Sequence, residues 1–248
     1  MSERSPVLLV HSGGFTSRQW RRLGADLSPD HDVVMPDLIG YGKEPAWPVG
    51  TPFHFRQDVD RLAAMLDSRP THLVGHSYGG LIVMQLALAR PEIVRSIAVF
   101  EPVTMGILTD DDLDAHAALA RMPRYVLGPE VDEVWLATFV DWWNGPGAWG
   151  KLAPETQQAF REVAWKLSEE VATLIADRTD AARYGTITAP TLLLGGANSQ
   201  PAEHRVLERL AAALPNARLT MFPEMGHMGP ITHAAQVNTA IAAHVRAR

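Results

Sequence analysis

Short, almost wholly apolar runs recur along the chain, and each is closed by a glycine, a proline or a polar loop. Residues 6–10 (PVLLV) run into His11-Ser12-Gly13-Gly14, 32–35 (DVVM) into Pro36-Asp37, and 71–74 (THLV) into Gly75-His76-Ser77-Tyr78-Gly79-Gly80. Further on, 97–100 (IAVF) lead into Glu101-Pro102, 191–194 (TLLL) into Gly195-Gly196, and 218–222 (RLTMF) into Pro223. Apolar side chains in succession, rather than in alternation, predict strands covered on both faces, as in a parallel sheet. Between these runs the pattern turns helical. Residues 53–66 carry Val59, Leu62, Ala63 and Leu66 at helical spacing, 81–89 are apolar all round, and 203–214 and 235–245 are amphipathic. Strands alternating with helices predict an α/β fold: a mostly parallel six-stranded sheet with helices on both faces. The functional residues of such a sheet gather at the carboxyl ends of its strands.

One stretch breaks the alternation. Residues 103–185 contain no good strand and read as helical throughout. They hold five of the seven tryptophans (Trp135, Trp142, Trp143, Trp149 and Trp165), with a turn at Asn144-Gly145-Pro146-Gly147. An insertion of this length between two strands predicts a helical lid, 103–185, on a core built from 1–102 and 186–248. Trp135 and Trp165 read as core. Two adjacent rings on a helix cannot both face inward, so one of Trp142 and Trp143 is expected at the pocket mouth, with Met105 on its floor. Asp110-Asp111-Asp112 reads as a helix start, because three successive carboxylates cannot converge on one ion from a helix.

Composition narrows the function classes. A chain of 248 residues suits one core with an insertion. With 46% hydrophobic and 20% charged residues, the chain is not a disordered one. Its 22 Lys and Arg against 28 Asp and Glu give a formal charge of −6 without a basic run. That argues against a nucleic-acid surface and against docking on anionic lipid. The absence of cysteine excludes disulfides, thiol nucleophiles and thiolate metal sites. No stretch approaches the roughly 18 apolar residues of a membrane helix, and the start, MSERSPVLLVHSGG, is too short and too lightly charged for a secretory signal. A cytoplasmic protein, monomer or homodimer, is expected.

The chemistry centres on Gly75-x-Ser77-x-Gly79, which lies between an apolar strand and an apolar helix. That is the context of a nucleophile elbow: a serine on a strained strand-to-helix turn, lifted above the sheet, with helix amides aimed at developing negative charge. A serine hydroxyl needs a base to take its proton. Of ten histidines, His227 fits best, in the glycine-rich loop Met225-Gly226-His227-Met228-Gly229-Pro230 after the last strand. His233 and His204 read as local capping or solvated residues. His76, next to the serine, should point to the opposite face.

These motifs, together with Asp37 and Gly40-Tyr41-Gly42, resemble the α/β-hydrolase superfamily over almost the whole chain. The resemblance implies a serine nucleophile, a histidine base and a carboxylate behind it, and no cofactor or metal. In most members the carboxylate follows the strand at 191–194. Here that loop reads Gly195-Gly196-Ala197-Asn198-Ser199-Gln200, with Asn198 where Asp is expected and Glu203 the nearest acid, read as a first-turn helix residue. A minority of the superfamily, zearalenone-lactonase-like enzymes among them, places its acid at the end of the preceding strand, where this chain has Glu101. The expected triad is therefore Ser77–His227–Glu101. By the same resemblance the loop after the first strand supplies one oxyanion amide, from Gly13 or Gly14, and Tyr78 the other, with Gly14, Met105, Trp142, Trp143 and Met228 as candidate substrate contacts. The implied activity is hydrolysis of a small apolar carboxylic ester or lactone. Hydroxynitrile lyases also resemble this architecture, with a hydroxyl residue where Ser12 stands, and carbon–carbon hydrolases share the triad. Against the lyase reading, no matching lysine lies near His227.

Overall fold

The structure, a computed structural model, describes residues 4–122 and 133–248. In chain order the elements are β1 (Ser5–Val10), α1 (Arg21–Leu27), β2 (His31–Val34), α2 (Arg56–Met65), β3 (Thr71–His76), α3 (Tyr78–Ala89) and β4 (Val94–Phe100). Then come α4 (Leu113–Leu119), α5 (Glu133–Asn144), α6 (Ala148–Lys151), α7 (Pro154–Ala176) and α8 (Ala181–Tyr184). The chain closes with β5 (Thr191–Gly196), α9 (Pro201–Ala213), β6 (Ala217–Phe222), α10 (Gly229–Thr232) and α11 (Ala234–Arg246).

The six strands form one sheet in the order β2-β1-β3-β4-β5-β6, and every pairing is parallel. Successive strand side chains point to opposite faces, and the apolar runs split accordingly. Leu8, Val10, Leu73, Ile97, Val99 and Leu193 join one core with α2, α3 and the inserted helices. Val7, Leu9, Val74, Ala98, Phe100, Leu192 and Leu194 join a second core with Trp20, Leu23 and Leu27 beside α1 and Val237, Ile241 and Val245 of α11. Continuous apolar strands are thus the signature of a sheet buried on both sides.

The inserted stretch is not uniform. Helix α4 packs on α9, and α8 packs on α9 and α3. Helices α5 and α7 contribute side chains to a cavity above the sheet. Part of the stretch, 123–132, lies outside the described residues. Among the described residues no helix is long and apolar enough to cross a membrane.

Candidate active site

Strand order reverses around β1, which lies between β2 and β3. The crevice at such a reversal is where parallel α/β sheets hold ligands. The loops after β1, β3, β4, β5 and β6 meet there.

Ser77 makes the turn from β3 into α3 with φ 54° and ψ −120°. A non-glycine residue at positive φ costs on the order of 1–3 kcal/mol and persists only where its surroundings dictate it. The Ser77 amide donates to Phe100 O (3.0 Å), and its carbonyl accepts from Leu81 N (3.0 Å). The flanking glycines are required by packing. A Cβ at Gly75 would stand 2.4 Å from Gly79 O, and one at Gly79 would stand 2.4 Å from the carbonyl oxygens of both Val10 and His11.

His227 follows β6. Its Nε2 lies 2.8 Å from Ser77 Oγ and its Nδ1 lies 2.7 Å from Glu101 Oε2. A carboxylate can only accept, so Nδ1 carries the hydrogen and Nε2 is left as acceptor for the serine hydroxyl. His76 points away from the face of Ser77, packing on Phe100, yet it reaches the main chain that carries His227. Its Nδ1 is 3.1 Å from the Gln19 side-chain nitrogen, and its Nε2 is 2.9 Å from the His227 carbonyl. The Gln19 amide donates to Nδ1, which leaves Nε2–H to hold the His227 main chain in place. Burial holds the His76 pKa well below the usual histidine range, so this ring acts as a neutral strut. On another side the Trp143 ring stacks on the His227 imidazole, centroids 3.9 Å apart.

Glu101 immediately follows β4, fully buried, with φ 42°. Its Oε1 accepts from Gly196 N (2.6 Å) and Ser199 Oγ (2.6 Å), while Oε2 faces His227. The loop after β5 therefore contributes hydrogen-bond donors, not an acid. Asn198 is exposed, with its side-chain amide 3.5 Å from Pro223 O, away from the imidazole. Glu203 does stand in the first turn of α9, but it is buried rather than solvated. His204 is also no free surface residue, since its Nε2 lies 2.9 Å from Gly196 O.

A cavity of about 390 Å³ opens over Ser77 and His227. Its walls are mostly apolar, with Phe139, Val140 and Trp143 from α5 and Phe160, Leu167, Val171 and Leu174 from α7. Gly13, Tyr78 and Met228 line it too. Three of the residues expected there do not. Trp142 sits one position, about 100° of helix, from Trp143; it is buried and donates its indole N–H to Ala118 O (3.1 Å). Met105 lines a different groove, because the chain leaving β4 turns beneath α7. Gly14 is screened from the cavity by Phe160, whose ring would stand 2.5 Å from a Cβ at that position.

The sequence reading missed a buried charged group beside the cavity. Lys166 Nζ lies 3.2 Å from Asp58 Oδ2 and pairs with Glu170 one turn along α7. The Tyr41 hydroxyl donates to Glu170 Oε2 (2.9 Å) and the Tyr78 hydroxyl to Asp58 Oδ2 (2.9 Å). Glu170 also lines the cavity, close against Gly13, and burial raises its pKa to about 7. The i,i+4 spacing of Lys166 and Glu170 was visible in sequence, but their burial was not, because such pairs usually lie on a solvated face.

Among the described residues one set of titratable side chains converges as metal ligands do: Glu101, Glu203 and His227, with atoms within 4.8 Å of one another. The hydrogen bond between His227 Nδ1 and Glu101 Oε2 leaves no room for an ion between those two, while Glu203 bonds neither of them.

Residues 5–234 match the family model described as alpha/beta hydrolase fold. A relative from Pseudomonas savastanoi, provisionally named carbamate hydrolase RutD, is 30% identical over 241 residues, covering 92% of this chain and 89% of the relative. The pimeloyl-acyl-carrier-protein methyl ester esterase of Chromobacterium violaceum is 26% identical over 247 residues, covering 96% and 93%. Among solved structures, a hydrolase from Pseudomonas aeruginosa superposes with a TM-score of 0.73 at 21% identity, covering 98% of this chain and 90% of that one. The chain belongs to the α/β-hydrolase fold family and is a hydrolase of that fold.

Proposed function

We propose that the protein is a serine hydrolase that cleaves a small, apolar carboxylic ester or lactone through an acyl-enzyme. The observation that carries this reading is the unbroken hydrogen-bonded line from Ser77 Oγ through His227 to Glu101, which opens at one end into an apolar cavity. In the first step Ser77 Oγ attacks the carbonyl carbon while His227 Nε2 takes its proton. Glu101 keeps the imidazole in the required tautomer and stabilises the imidazolium. The amides of Gly13 and Tyr78 receive the oxyanion, each worth about 3 kcal/mol of barrier. His227 then returns the proton to the leaving alcohol. Water, deprotonated by the same nitrogen, releases the acid. Helices α5 to α7 act as the cover of the site. No step calls for a cofactor.

The esterase among the relatives supports this reading. The relative named a carbamate hydrolase favours a second substrate class, since the same attack on a carbamate gives a carbamoyl-enzyme. No lysine lines the cavity among the described residues, which weighs against cyanohydrin cleavage. A fluorophosphonate probe is expected to label wild-type protein at Ser77 and to leave Ser77→Ala unlabelled. A panel of p-nitrophenyl esters, lactones and aryl carbamates then ranks the substrate classes by kcat/KM. Cleavage of a cyanohydrin or a β-diketone with no turnover of any ester or lactone would overturn the proposal.

A further inference from the structure

Glu203 is fully buried, and neither carboxyl oxygen has a hydrogen-bond partner. It lies on α9, a helix separate from the strand that precedes Glu101. Yet one of its oxygens falls within 4.8 Å of both the Glu101 carboxylate and the His227 imidazole. An ionised, unpaired carboxylate is strongly disfavoured in such a place. Burial and the neighbouring Glu101 charge push its pKa well above the ordinary carboxylate range, so Glu203 is held as the neutral acid. The space around the imidazole therefore holds two carboxyl groups, of which only one can be charged. Gly196 N–H and Ser199 O–H both donate to Glu101, and the neighbouring His204 is bonded to Gly196 O.

We propose that Glu203 is a second carboxyl of the acid site: a positioning residue in reserve, which supports the His227 imidazole when the Glu101 carboxylate is removed and its space left open. This rests on the Ser77–His227–Glu101 reading. The proton balance is simple. Burial is the larger cause that keeps Glu203 protonated and the Glu101 charge the second; loss of Glu101 removes the second, and the freed Nδ1–H of His227 offers a charge-stabilising donor against the first. The Glu203 proton leaves to solvent, and the new carboxylate swings over to accept Nδ1–H of His227.

Two substitutions at one position separate the outcomes. Glu101→Gln fills the space with a neutral side chain and blocks Glu203, so kcat is expected to fall about 10³–10⁴-fold. Glu101→Ala leaves the space open, and kcat is expected to fall only about 10²-fold, with activity rising with pH as Glu203 ionises. Adding Glu203→Gln to Glu101→Ala should bring the loss to that of Glu101→Gln and abolish the new pH dependence. Nitrogen NMR of His227 gives a readout independent of turnover: its pKa should be higher in Glu101→Ala than in the double variant, with circular dichroism establishing that each variant is folded. Equal rates and equal His227 pKa values in Glu101→Ala and the double variant would overturn the reserve role. Wild-type rates in both single variants would instead overturn Glu101 as the acid, a separate result. Should Glu101→Ala fail to fold, Glu101→Ser opens nearly the same space and is read in the same way.

Discussion

Oε2 of Glu101 lies 2.7 Å from Nδ1 of His227, and Glu101 stands one residue past β4 rather than past β5. Adjacent parallel strands run about 4.8 Å apart. A glutamate therefore has enough reach to span one strand position, provided that its main chain turns sharply. The φ of 42° at Glu101 provides that turn. The loop after β5 completes the arrangement by donating Gly196 N–H and Ser199 O–H to Oε1. Three donors around one carboxylate fix its rotamer.

If Glu101 orients and compensates the imidazole, its neutral isostere should damage the chemical step and spare binding. Glu101→Gln is expected to lower kcat about 10³–10⁴-fold with KM changed only a few-fold, measured by steady-state hydrolysis of a p-nitrophenyl ester. An unchanged kcat would remove Glu101 from the mechanism.

The strain at Ser77 gives a stability prediction. At φ 54° and ψ −120° a Cβ is unwelcome, and glycine is the one residue that adopts this backbone at ease. Both Ser77→Gly and Ser77→Ala remove the hydroxyl proposed as nucleophile, but only the first relieves the strain. Ser77→Gly is expected to be more stable than Ser77→Ala by about 1 kcal/mol or more in urea unfolding. The reverse order would mean that the turn stores no strain.

Trp143 stacks on His227 with ring centroids 3.9 Å apart, so in the proposed mechanism its π face would meet the imidazolium formed on proton transfer. Such contacts are worth about 0.5–2 kcal/mol. Trp143→Ala is expected to lower kcat about 3–30-fold, and Trp143→Phe to recover most of the loss. Identical rates for the two variants would limit the ring to lining the cavity.

The sheet, the elbow and His227 were legible because each leaves a local mark: an apolar run, a glycine pair imposed by backbone crowding, a loop at a strand end. Glu101 could be placed only through the resemblance and through the lack of an acid beside Asn198, since nothing local distinguishes a strand-end glutamate. Trp142 and Trp143 could not be told apart, because helix phase depends on where α5 meets the rest of the chain. The inward placement of Lys166, Glu170 and Glu203 left no mark, as charged residues at helical spacing ordinarily face water. The contact of His76 with the His227 main chain was not legible for a related reason. Strand alternation turns its side chain away from the face of Ser77, but the loop after β6 passes under that side and presents the His227 carbonyl to it.

His11 sets the last expectation, for pH. It is fully buried after β1; its Nδ1 is 2.8 Å from Ser12 O, and its Nε2 accepts from Leu38 N at 3.0 Å. Both ring nitrogens are thus committed to the neutral form, because a proton on Nε2 would break the bond from Leu38. Burial is the main reason its pKa falls from 6.5 to about 4. With the folded value below the unfolded one, the unfolded chain binds the proton first as pH drops. The contribution is present above pH 6.5 and is lost progressively towards pH 4, amounting to about 3 kcal/mol in all. His11→Gln keeps an oxygen acceptor for Leu38 N–H and cannot titrate. In urea unfolding between pH 7 and pH 4.5 the variant is expected to start less stable, having lost the bond to Ser12 O, but to lose about 2–3 kcal/mol less than wild type over the range. Parallel stability curves for the two proteins would show that His11 is already protonated in the folded state or plays no part in acid unfolding.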